Sequence, residues 1–246
     1  RENAKVEGFQ ASVHIQVGAA DPIAEAIWID SIAQANPDWP LVQVVHCDLT
    51  SPTLDKDLDL ILTIPSVRGV RQIVGRSSEE DTKSGTNDLL SSSAFRDGLI
   101  ELGNRNLSFD LQLTPELIEQ AANVLNAAPG TKTALCHAGS PGDRSEQGLA
   151  KWSKNLRLLS NIGNVFCKLS GLGMFDHCWT QDSIAPIINE CIDQFGSSRC
   201  MFGSNFPVDS LYSDYQSLIQ AYRSIVSKED SEMVFYKTAK NFYNIK

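Results

Sequence analysis

A strand, a helix and a second strand follow one another in residues 107–139, which read LSFDLQLTPELIEQAANVLNAAPGTKTALCHAG. The alternating run 107–113 is typical of a β-strand, and Thr114-Pro115 is a common way to begin a helix. That helix is predicted to reach about Ala128, where a Pro-Gly pair stops it, and residues 132–139 form the next strand. Two strands joined by a crossover helix lie parallel in one sheet. The stretch therefore predicts an α/β fold.

The same alternation extends over the whole chain. Strands are predicted over residues 6–17, 41–48, 67–75, 107–113, 132–139, 164–172 and 200–207. Helices are predicted over residues 22–35, 54–62, 89–102, 114–128, 145–160, 184–195, 215–226 and 229–243. Residues 76–87 are polar and are expected to form a loop.

Two architectures contain such an alternation, a doubly wound sheet and a (β/α)8 barrel. No G-x-G-x-x-G or P-loop follows any strand, which weakens the nucleotide-binding sheet. The length of 246 residues is close to that of a barrel domain. We therefore predict an α/β, (β/α)8 TIM-like barrel in a single domain, residues 1–246. Seven units are visible where a barrel needs eight, and the chain starts at Arg1 without a methionine. The barrel is therefore expected to lack its first βα unit, so that the domain is N-terminally incomplete.

Composition and charge exclude several classes of protein. Hydrophobic residues make up 42% of the chain and charged residues 21%, so the chain can bury a core. Thirty acidic residues against 21 basic ones give a formal net charge of −9, which disfavours binding to nucleic acid or to an anionic membrane. No apolar run approaches the roughly 18 residues of a membrane-spanning helix. The six cysteines form no Cys-x-x-Cys pair, which favours buried reduced thiols and a cytoplasmic location.

Polar side chains alternate with apolar ones in several predicted strands. His14 lies in the first strand, Asp110 in the fourth, His137 at the end of the fifth, and Lys168 and Ser170 in the sixth. Because helices cover both faces of such a sheet, polar groups late in the strands are expected at the mouth of the barrel, where barrel enzymes place their active sites. The alternative is the solvated face of an antiparallel sheet.

His137, Lys168 and a third polar side chain, Arg71 in the third predicted strand, each have alternative interpretations. His137 is either an active-site group or a histidine satisfied within the core. Lys168 suits anion binding, oxyanion stabilisation or a Schiff base, and the alternative is an ion pair with Asp110. Arg71 suits a substrate carboxylate, and the alternative is a structural salt bridge.

Six motifs occur in a fixed order along the chain. They are Ser12-Val13-His14-Ile15-Gln16, Val67-Arg68-Gly69-Val70-Arg71, Phe109-Asp110-Leu111, Cys136-His137-Ala138-Gly139-Ser140-Pro141, Cys167-Lys168-Leu169-Ser170-Gly171-Leu172 and Met201-Phe202-Gly203-Ser204-Asn205-Phe206-Pro207-Val208. Together they resemble the amidohydrolase-related hydrolases, in the branch that contains 2-pyrone-4,6-dicarboxylate lactonase and the sugar-lactone hydrolases. The resemblance covers nearly the whole chain.

This resemblance implies a distorted barrel that hydrolyses lactones or related C–O and C–N bonds. The family's first strand carries a His-x-His pair, which this sequence lacks, so His137 is the single candidate metal ligand. The cofactor is left open between one divalent metal of the zinc type and none. The family's last strand usually presents an aspartate as general base, at the position of Asn205 here. Since an amide cannot take a proton at neutral pH, Asn205 is expected to orient water or substrate, with Asp209 as a possible replacement base.

We therefore expect a lactonase-like hydrolase acting on a small anionic or sugar lactone. The predicted catalytic residues are His137, Lys168 and Asn205, and the predicted substrate-binding residues are His14, Arg71, Asp110, Ser170 and Asp209. One alternative is a Schiff-base aldolase or lyase that uses Lys168, and another is a barrel that binds a ligand or partner without turnover. The expected partner is a small molecule, with homo-oligomerisation left open.

Overall fold

The computed structural model describes residues 2–246, with the side chains of residues 4–246. Arg1, the first residue of the predicted domain, lies outside the described residues. The strands are β1 (Ser12–Ile15), β2 (Leu41–His46), β3 (Val67–Ile73), β4 (Ser108–Gln112), β5 (Thr133–Leu135), β6 (Val165–Leu169) and β7 (Cys200–Phe202). The helices are α1 (Glu2–Val6), α2 (Pro22–Ala35), α3 (Leu54–Leu62), α4 (Ser78–Ser84), α5 (Ser93–Asn104), α6 (Ile118–Asn126), α7 (Glu146–Ser160), α8 (Gln181–Phe195), α9 (Tyr215–Ile225), α10 (Lys228–Glu232) and α11 (Thr238–Phe242).

All seven strands are parallel and pair in the order of the sequence, from β1 to β7. A helix follows each strand, so the sheet curls into a TIM-like α/β fold, as predicted. No strand pairing joins β1 to β7 within residues 2–246. Side chains connect these two edges instead, because the ring of Phe9 stacks on Phe202 with centroids 5.6 Å apart. Below them, Arg223 forms an ion pair with Glu7 at 2.9 Å.

The start of α2 and the buried face of α8 follow from the residues at those positions. The side chain of Asp21 accepts hydrogen bonds from the backbone N–H groups of Ile23 and Ala24, and Pro22 occupies the first position of α2. The helix begins at residue 22, as predicted, and a proline is favoured there because the first N–H groups of a helix have no intrahelical partner. The buried positions of α8 lie on one face of the helix: Ile184, Ile187, Ile188, Cys191 and Phe195.

The core lies between the sheet and the surrounding helices. Phe95 of α5 meets Phe109 of β4 edge to face, with centroids 5.8 Å apart, and both rings are completely buried. Removing such a ring costs about 3–5 kcal/mol, since both the transfer free energy and a cavity are involved. The core therefore fixes the strands, and with them the positions of side chains at the strand ends.

Two predicted elements are wrong. The first strand does not begin at Val6, because residues 2–6 are helical and the paired strand is only Ser12–Ile15. Gly8, with φ of 80°, ends α1, and the N–H of Phe9 donates to the carbonyl of Ala4.

The polar segment 76–87 is likewise a helix, α4, rather than a loop throughout. The Ser77 hydroxyl accepts from the N–H of Glu80, whose carboxylate accepts from the N–H of Ser77. This capping box stabilises a short helix without any apolar face, which is why the apolar pattern missed it. The last predicted helix, 229–243, is present as α10, a π-turn at Met233–Lys237, and α11. In the described part of the chain, no helix is long and apolar enough to cross a membrane.

Candidate active site

A cavity of about 850 Å³ opens inside the curled sheet and reaches the carboxyl ends of its strands. Six of the eight predicted site residues line this cavity: His14, Arg71, His137, Lys168, Ser170 and Asn205. Asp110 and Asp209 lie behind its wall and are 0% and 1% exposed. The structure therefore brings the predicted catalytic residues together, whereas direct substrate contact by Asp110 or Asp209 is not supported by their positions.

His137 lies directly after β5, where its backbone takes a left-handed conformation with φ of 54°. Its Nδ1 atom lies 3.1 Å from the hydroxyl of Ser170. Burial, followed by the positive charges of Lys168 and Arg71, lowers the pKa of His137 to about 3. The imidazole is therefore neutral at physiological pH, and it presents a hydrogen-bonding group rather than a charge to the cavity.

Gly171 permits this arrangement. A Cβ atom at this position would lie 2.4 Å from Nδ1 of His137, and φ at Gly171 is +64°. Both features favour glycine, since real Cβ contacts are never this close and an L side chain rarely adopts this backbone conformation. The Ser170-Gly171 pair thus provides one hydrogen bond to His137 and the space for its ring.

Lys168 forms a buried cluster with Asp110 and Tyr243. Its ammonium group pairs with the carboxylate of Asp110, which also accepts hydrogen bonds from the hydroxyl of Tyr243 at 3.0 and 3.2 Å. The ammonium nitrogen also lies 5.4 Å from the centre of the Tyr243 ring. The ion pair considered as an alternative for Lys168 is therefore present, yet Lys168 also lines the cavity.

Tyr243 is a site residue that the sequence reasoning missed. It follows α11, lies 133 positions from Asp110, and is 2% exposed. Burial, and after it the nearby Asp110 charge, raises the pKa of Tyr243 well above its ordinary value. No local motif marks this tyrosine, because its partner is determined by the closure of the fold.

Arg71, on β3, has neutral partners. Its guanidinium donates to the side-chain carbonyl of Gln112 at 3.1 Å and to the backbone carbonyl of Gln16, while Nε is buried without a partner. Among the side chains of residues 4–246, no carboxylate forms a salt bridge with Arg71, so the structural salt bridge considered above is not observed there. A cation in this position favours an anionic ligand.

Asn205 follows β7 and also adopts a left-handed backbone, with φ of 54°. Its amide nitrogen donates to Oδ1 of Asp209 at 2.8 Å, which leaves the amide oxygen as the acceptor for another group. Oδ2 of Asp209 is buried without a partner, and burial raises the pKa of this carboxyl. Asp209 therefore orients Asn205 from behind the cavity wall.

The described residues do not fit a bound metal. They contain no group of three or more His, Cys, Asp or Glu side chains able to hold one. His137, the candidate ligand from the sequence, has Lys168 and Arg71 as its charged neighbours, and their positive charges oppose the binding of a metal cation. No chemical step below is therefore assigned to a metal.

A parallel, curled α/β sheet with polar side chains at the carboxyl ends of its strands is the architecture of the TIM-like enzymes. Within this class the chain belongs to the amidohydrolase family, since the family model described as Amidohydrolase matches residues 33–245.

Two relatives of known sequence are similar to most of this chain. The chain is 31% identical to the uncharacterized protein y4mH of Sinorhizobium fredii over 249 residues, which cover 99% of this chain and 83% of the relative. It is 24% identical to an L-fucono-1,5-lactonase of Burkholderia ambifaria over 212 residues, 80% of this chain and 68% of that enzyme.

Solved structures show the same fold. An amidohydrolase of Burkholderia multivorans, crystallised with bound HEPES, superimposes with a TM-score of 0.87 at 22% identity, covering all of this chain and 87% of the other. A second crystal form of that amidohydrolase, with bound zinc, gives a TM-score of 0.86 at 21% identity and the same coverage. A putative 2-pyrone-4,6-dicarboxylic acid hydrolase of Pseudomonas putida gives 0.76 at 18% identity, covering 99% and 85% of the two chains. The predicted family is thus confirmed.

Proposed function

We propose that this amidohydrolase-family protein is a hydrolase that opens a small anionic lactone by attack of water. The observation that carries the proposal is that one cavity is lined both by a neutral His137 and by the cation Arg71, which has no carboxylate partner among the side chains of residues 4–246. The lactonase relative and the pyrone-dicarboxylate hydrolase neighbour support the lactone as the reacting group.

The carbonyl of the lactone would be polarised by His137. If the Ser170 hydroxyl donates to Nδ1, the neutral ring carries its proton on Nε2 and donates it in a hydrogen bond to the carbonyl oxygen. A neutral imidazole can polarise a carbonyl in this way when its pKa is lowered, because it donates a hydrogen bond to the oxygen and keeps its proton. Preorganised donors of this kind commonly contribute more than any other single effect to the catalysis of acyl transfer.

Lys168 would stabilise the same developing charge. An ammonium group has three N–H donors, and only the pairing with Asp110 is visible within the described residues, so further donors are open to the substrate. A Schiff base would instead need the Lys168 nitrogen to be free to attack a carbonyl, whereas it is paired with the Asp110 carboxylate. The aldolase alternative is accordingly not supported.

Arg71 and Asn205 would bind the substrate and orient the attacking water. Arg71 would hold the carboxylate of the substrate through its planar fork, and the amide oxygen of Asn205 would accept a hydrogen bond from the attacking water. In the reaction, the water oxygen bonds to the carbonyl carbon and the ring C–O bond breaks, which gives a hydroxy acid.

The proposal is tested by turnover of a lactone panel that contains carboxylate-bearing and neutral sugar lactones. We expect the parent to prefer the carboxylate-bearing ones, Arg71→Gln to raise KM for those alone, and Lys168→Ala to lower kcat about 100-fold. His177→Gln is the control, since His177 lies outside the cavity wall and stacks on Tyr212. A parent that binds lactones without opening any of them would favour the non-catalytic alternative.

A further inference from the structure

One buried side chain of the cavity wall takes no part in the hydrolysis proposed above. Tyr243 lines the cavity together with Lys168. Its hydroxyl donates to Oδ1 and Oδ2 of Asp110 at 3.0 and 3.2 Å. Since Oδ2 is also the acceptor of the Lys168 ammonium group, one carboxylate joins the tyrosine to the proposed oxyanion donor.

The register of the strands places Lys168 nearer the rim of the cavity than this carboxylate. Asp110 of β4 is paired with Ala134 of β5, and Ala134 is paired with Phe166 of β6. Lys168 lies two residues beyond Phe166, towards the carboxyl end of β6 and on the same face of the sheet. To meet Asp110, its side chain therefore crosses β5, where the small side chain of Ala134 leaves room.

The position of the ammonium group depends on two partners. Among residues 4–246, Oδ2 of Asp110 is the hydrogen-bond acceptor of Lys168. The ring of Tyr243 is its second partner, with the ring centre 5.4 Å from the ammonium nitrogen. Because a lysine has a flexible four-carbon stem, these two contacts determine where its charge lies in the cavity.

The hydroxyl of Tyr243 determines how the carboxylate of Asp110 is turned. It is the partner of Oδ1, which leaves Oδ2 for Lys168. Without this hydroxyl, Oδ1 would have no hydrogen bond from residues 4–246, and Asp110 is completely buried. A buried carboxylate oxygen without a donor is costly, so both oxygens would turn towards the lysine. The ammonium donors would then be drawn away from the cavity.

Packing holds the tyrosine in this position. The N–H of Tyr243 donates to the carbonyl of Ala239 at 3.0 Å. The ring of Phe242 meets those of Phe166 and Tyr243 edge to face, with centroids 4.9 and 4.7 Å away. Phe242 and Tyr243 also belong to a buried apolar cluster inside the sheet, together with Val42, Val44, Ala134 and Met201. The hydroxyl is therefore fixed by the core as well as by its hydrogen bonds.

We infer that Tyr243 is a positioning residue of this site and acts through Asp110 on the ammonium group of Lys168, an inference that rests on the proposed lactone hydrolysis. Tyr243 transfers no proton. Its hydroxyl holds Oδ1 so that Oδ2 alone engages the lysine, and the other N–H donors of Lys168 are left for the carbonyl oxygen of the lactone. These donors are in place before negative charge develops on that oxygen, which is where preorganisation has its effect.

The test measures kcat and KM of Tyr243→Phe on a lactone that the parent hydrolyses. This substitution keeps the ring beside Lys168 and removes only the hydroxyl. We expect kcat to fall about tenfold, with KM changed by less than about threefold, because the positioned donors act on the transition state. Tyr212→Phe is the matched control and should keep the parent rate, since its ring stacks on His177 outside the cavity wall.

A double-mutant cycle separates positioning from a general loss of structure. If Tyr243 acts through the ammonium group, Tyr243→Phe should change kcat by less than about twofold when Lys168 is already replaced by Lys168→Ala. A further tenfold loss in that background would show an effect independent of Lys168 and would overturn the inference. Circular dichroism establishes that each variant is folded.

Nitrogen-15 spectra of the lysine ammonium groups test the same contact whether or not Lys168→Ala folds. We expect the Nζ signal of Lys168 to shift in Tyr243→Phe and to stay in place in Tyr212→Phe. Lys240, whose ammonium group donates to the hydroxyl of Tyr236, is the internal reference. An unchanged Lys168 signal in Tyr243→Phe would overturn the positioning role.

The outcomes separate this inference from the proposed function. An active parent with Tyr243→Phe at the parental rate overturns the role of Tyr243 and leaves lactone hydrolysis standing. A parent that opens no lactone of the panel overturns both.

Discussion

The hydroxyl of Tyr243 donates to both carboxylate oxygens of Asp110, at 3.0 and 3.2 Å. These residues come from the last turn of the chain and from the middle of β4, and both are buried. The buried carboxylate of Asp110 therefore has two partners, the ammonium group of Lys168 and the hydroxyl of Tyr243. A buried charge requires such partners. The end of the chain therefore stabilises the cation of the active site.

The variant Tyr243→Phe removes this hydroxyl and little else. We expect it to lower the free energy of unfolding by about 1.5–3 kcal/mol, the range for a hydrogen bond to a charged group. Urea denaturation measures the change. Tyr236→Phe is the matched control, because the Tyr236 side chain is 39% exposed and its hydroxyl accepts a hydrogen bond from Lys240, so its loss should change the free energy of unfolding by less than about 0.5 kcal/mol. Equal losses in the two variants would contradict the structural role of Tyr243.

A methyl group at Gly171 should displace His137. The Cβ of Gly171→Ala would lie 2.4 Å from Nδ1, so the imidazole must move away from Ser170. We expect lower stability and a loss of kcat of at least about tenfold, because a displacement of this size is costly in a catalytic geometry. Gly130→Ala is the control, since nothing lies within 4 Å of a Cβ there. Parental activity in Gly171→Ala would exclude a catalytic position for the observed ring of His137.

The sequence predicts the seven strands and the residues at their carboxyl ends because both follow from local patterns. His137 and Lys168 reach one cavity since parallel strands all end at the same rim. A helix start such as Asp21-Pro22 depends on contacts within a few residues, so it can also be predicted from the sequence.

Contacts between residues that are distant in the sequence were not predicted. Tyr243 and Asp110 are 133 positions apart, and the pairing of Glu25 with His14 depends on how α2 packs beside β1. The depth of Asp209, four residues beyond Asn205, is set by the surrounding core. None of these contacts leaves a periodic or motif signal, so they were accessible only from the folded chain.

The neutral state of His137 should be visible in acid unfolding. Its pKa is about 3 in the folded protein and about 6.5 for an unperturbed histidine, so between these values the unfolded state binds the additional proton. Stability is therefore complete above about pH 6.5 and falls as the pH is lowered towards 3, by roughly 5 kcal/mol from this residue. Urea denaturation across this range measures it, and His137→Gln should flatten the fall relative to the parent.

His177→Gln provides the comparison for that experiment. This side chain lies outside the cavity wall, so its removal should leave the acid dependence of the parent in place. A parental slope in His137→Gln would mean that the ring is accessible to protons in the folded state.

Asp209 should show the opposite pH dependence. Burial raises the pKa of its carboxyl, so the folded state holds the proton to higher pH than the unfolded state does. The parent therefore loses stability as the pH rises through the interval between about 3.9 and the raised folded value. Asp209→Asn retains an oxygen acceptor for the Asn205 amide but removes the buried charge. We expect it to be more stable than the parent at pH 7, by about 1 kcal/mol or more, and to lose this advantage near pH 3.

Asp230→Asn gives a control of opposite sign. The pKa of Asp230 is lowered first by a hydrogen bond from Ser227 at the start of α10, so its charged form is the stabilising one. Asp230→Asn should therefore be less stable than the parent at pH 7, with the difference fading in acid. If both substitutions destabilise the protein equally at neutral pH, the buried carboxylate of Asp209 has a favourable partner, and its position behind Asn205 must be reinterpreted.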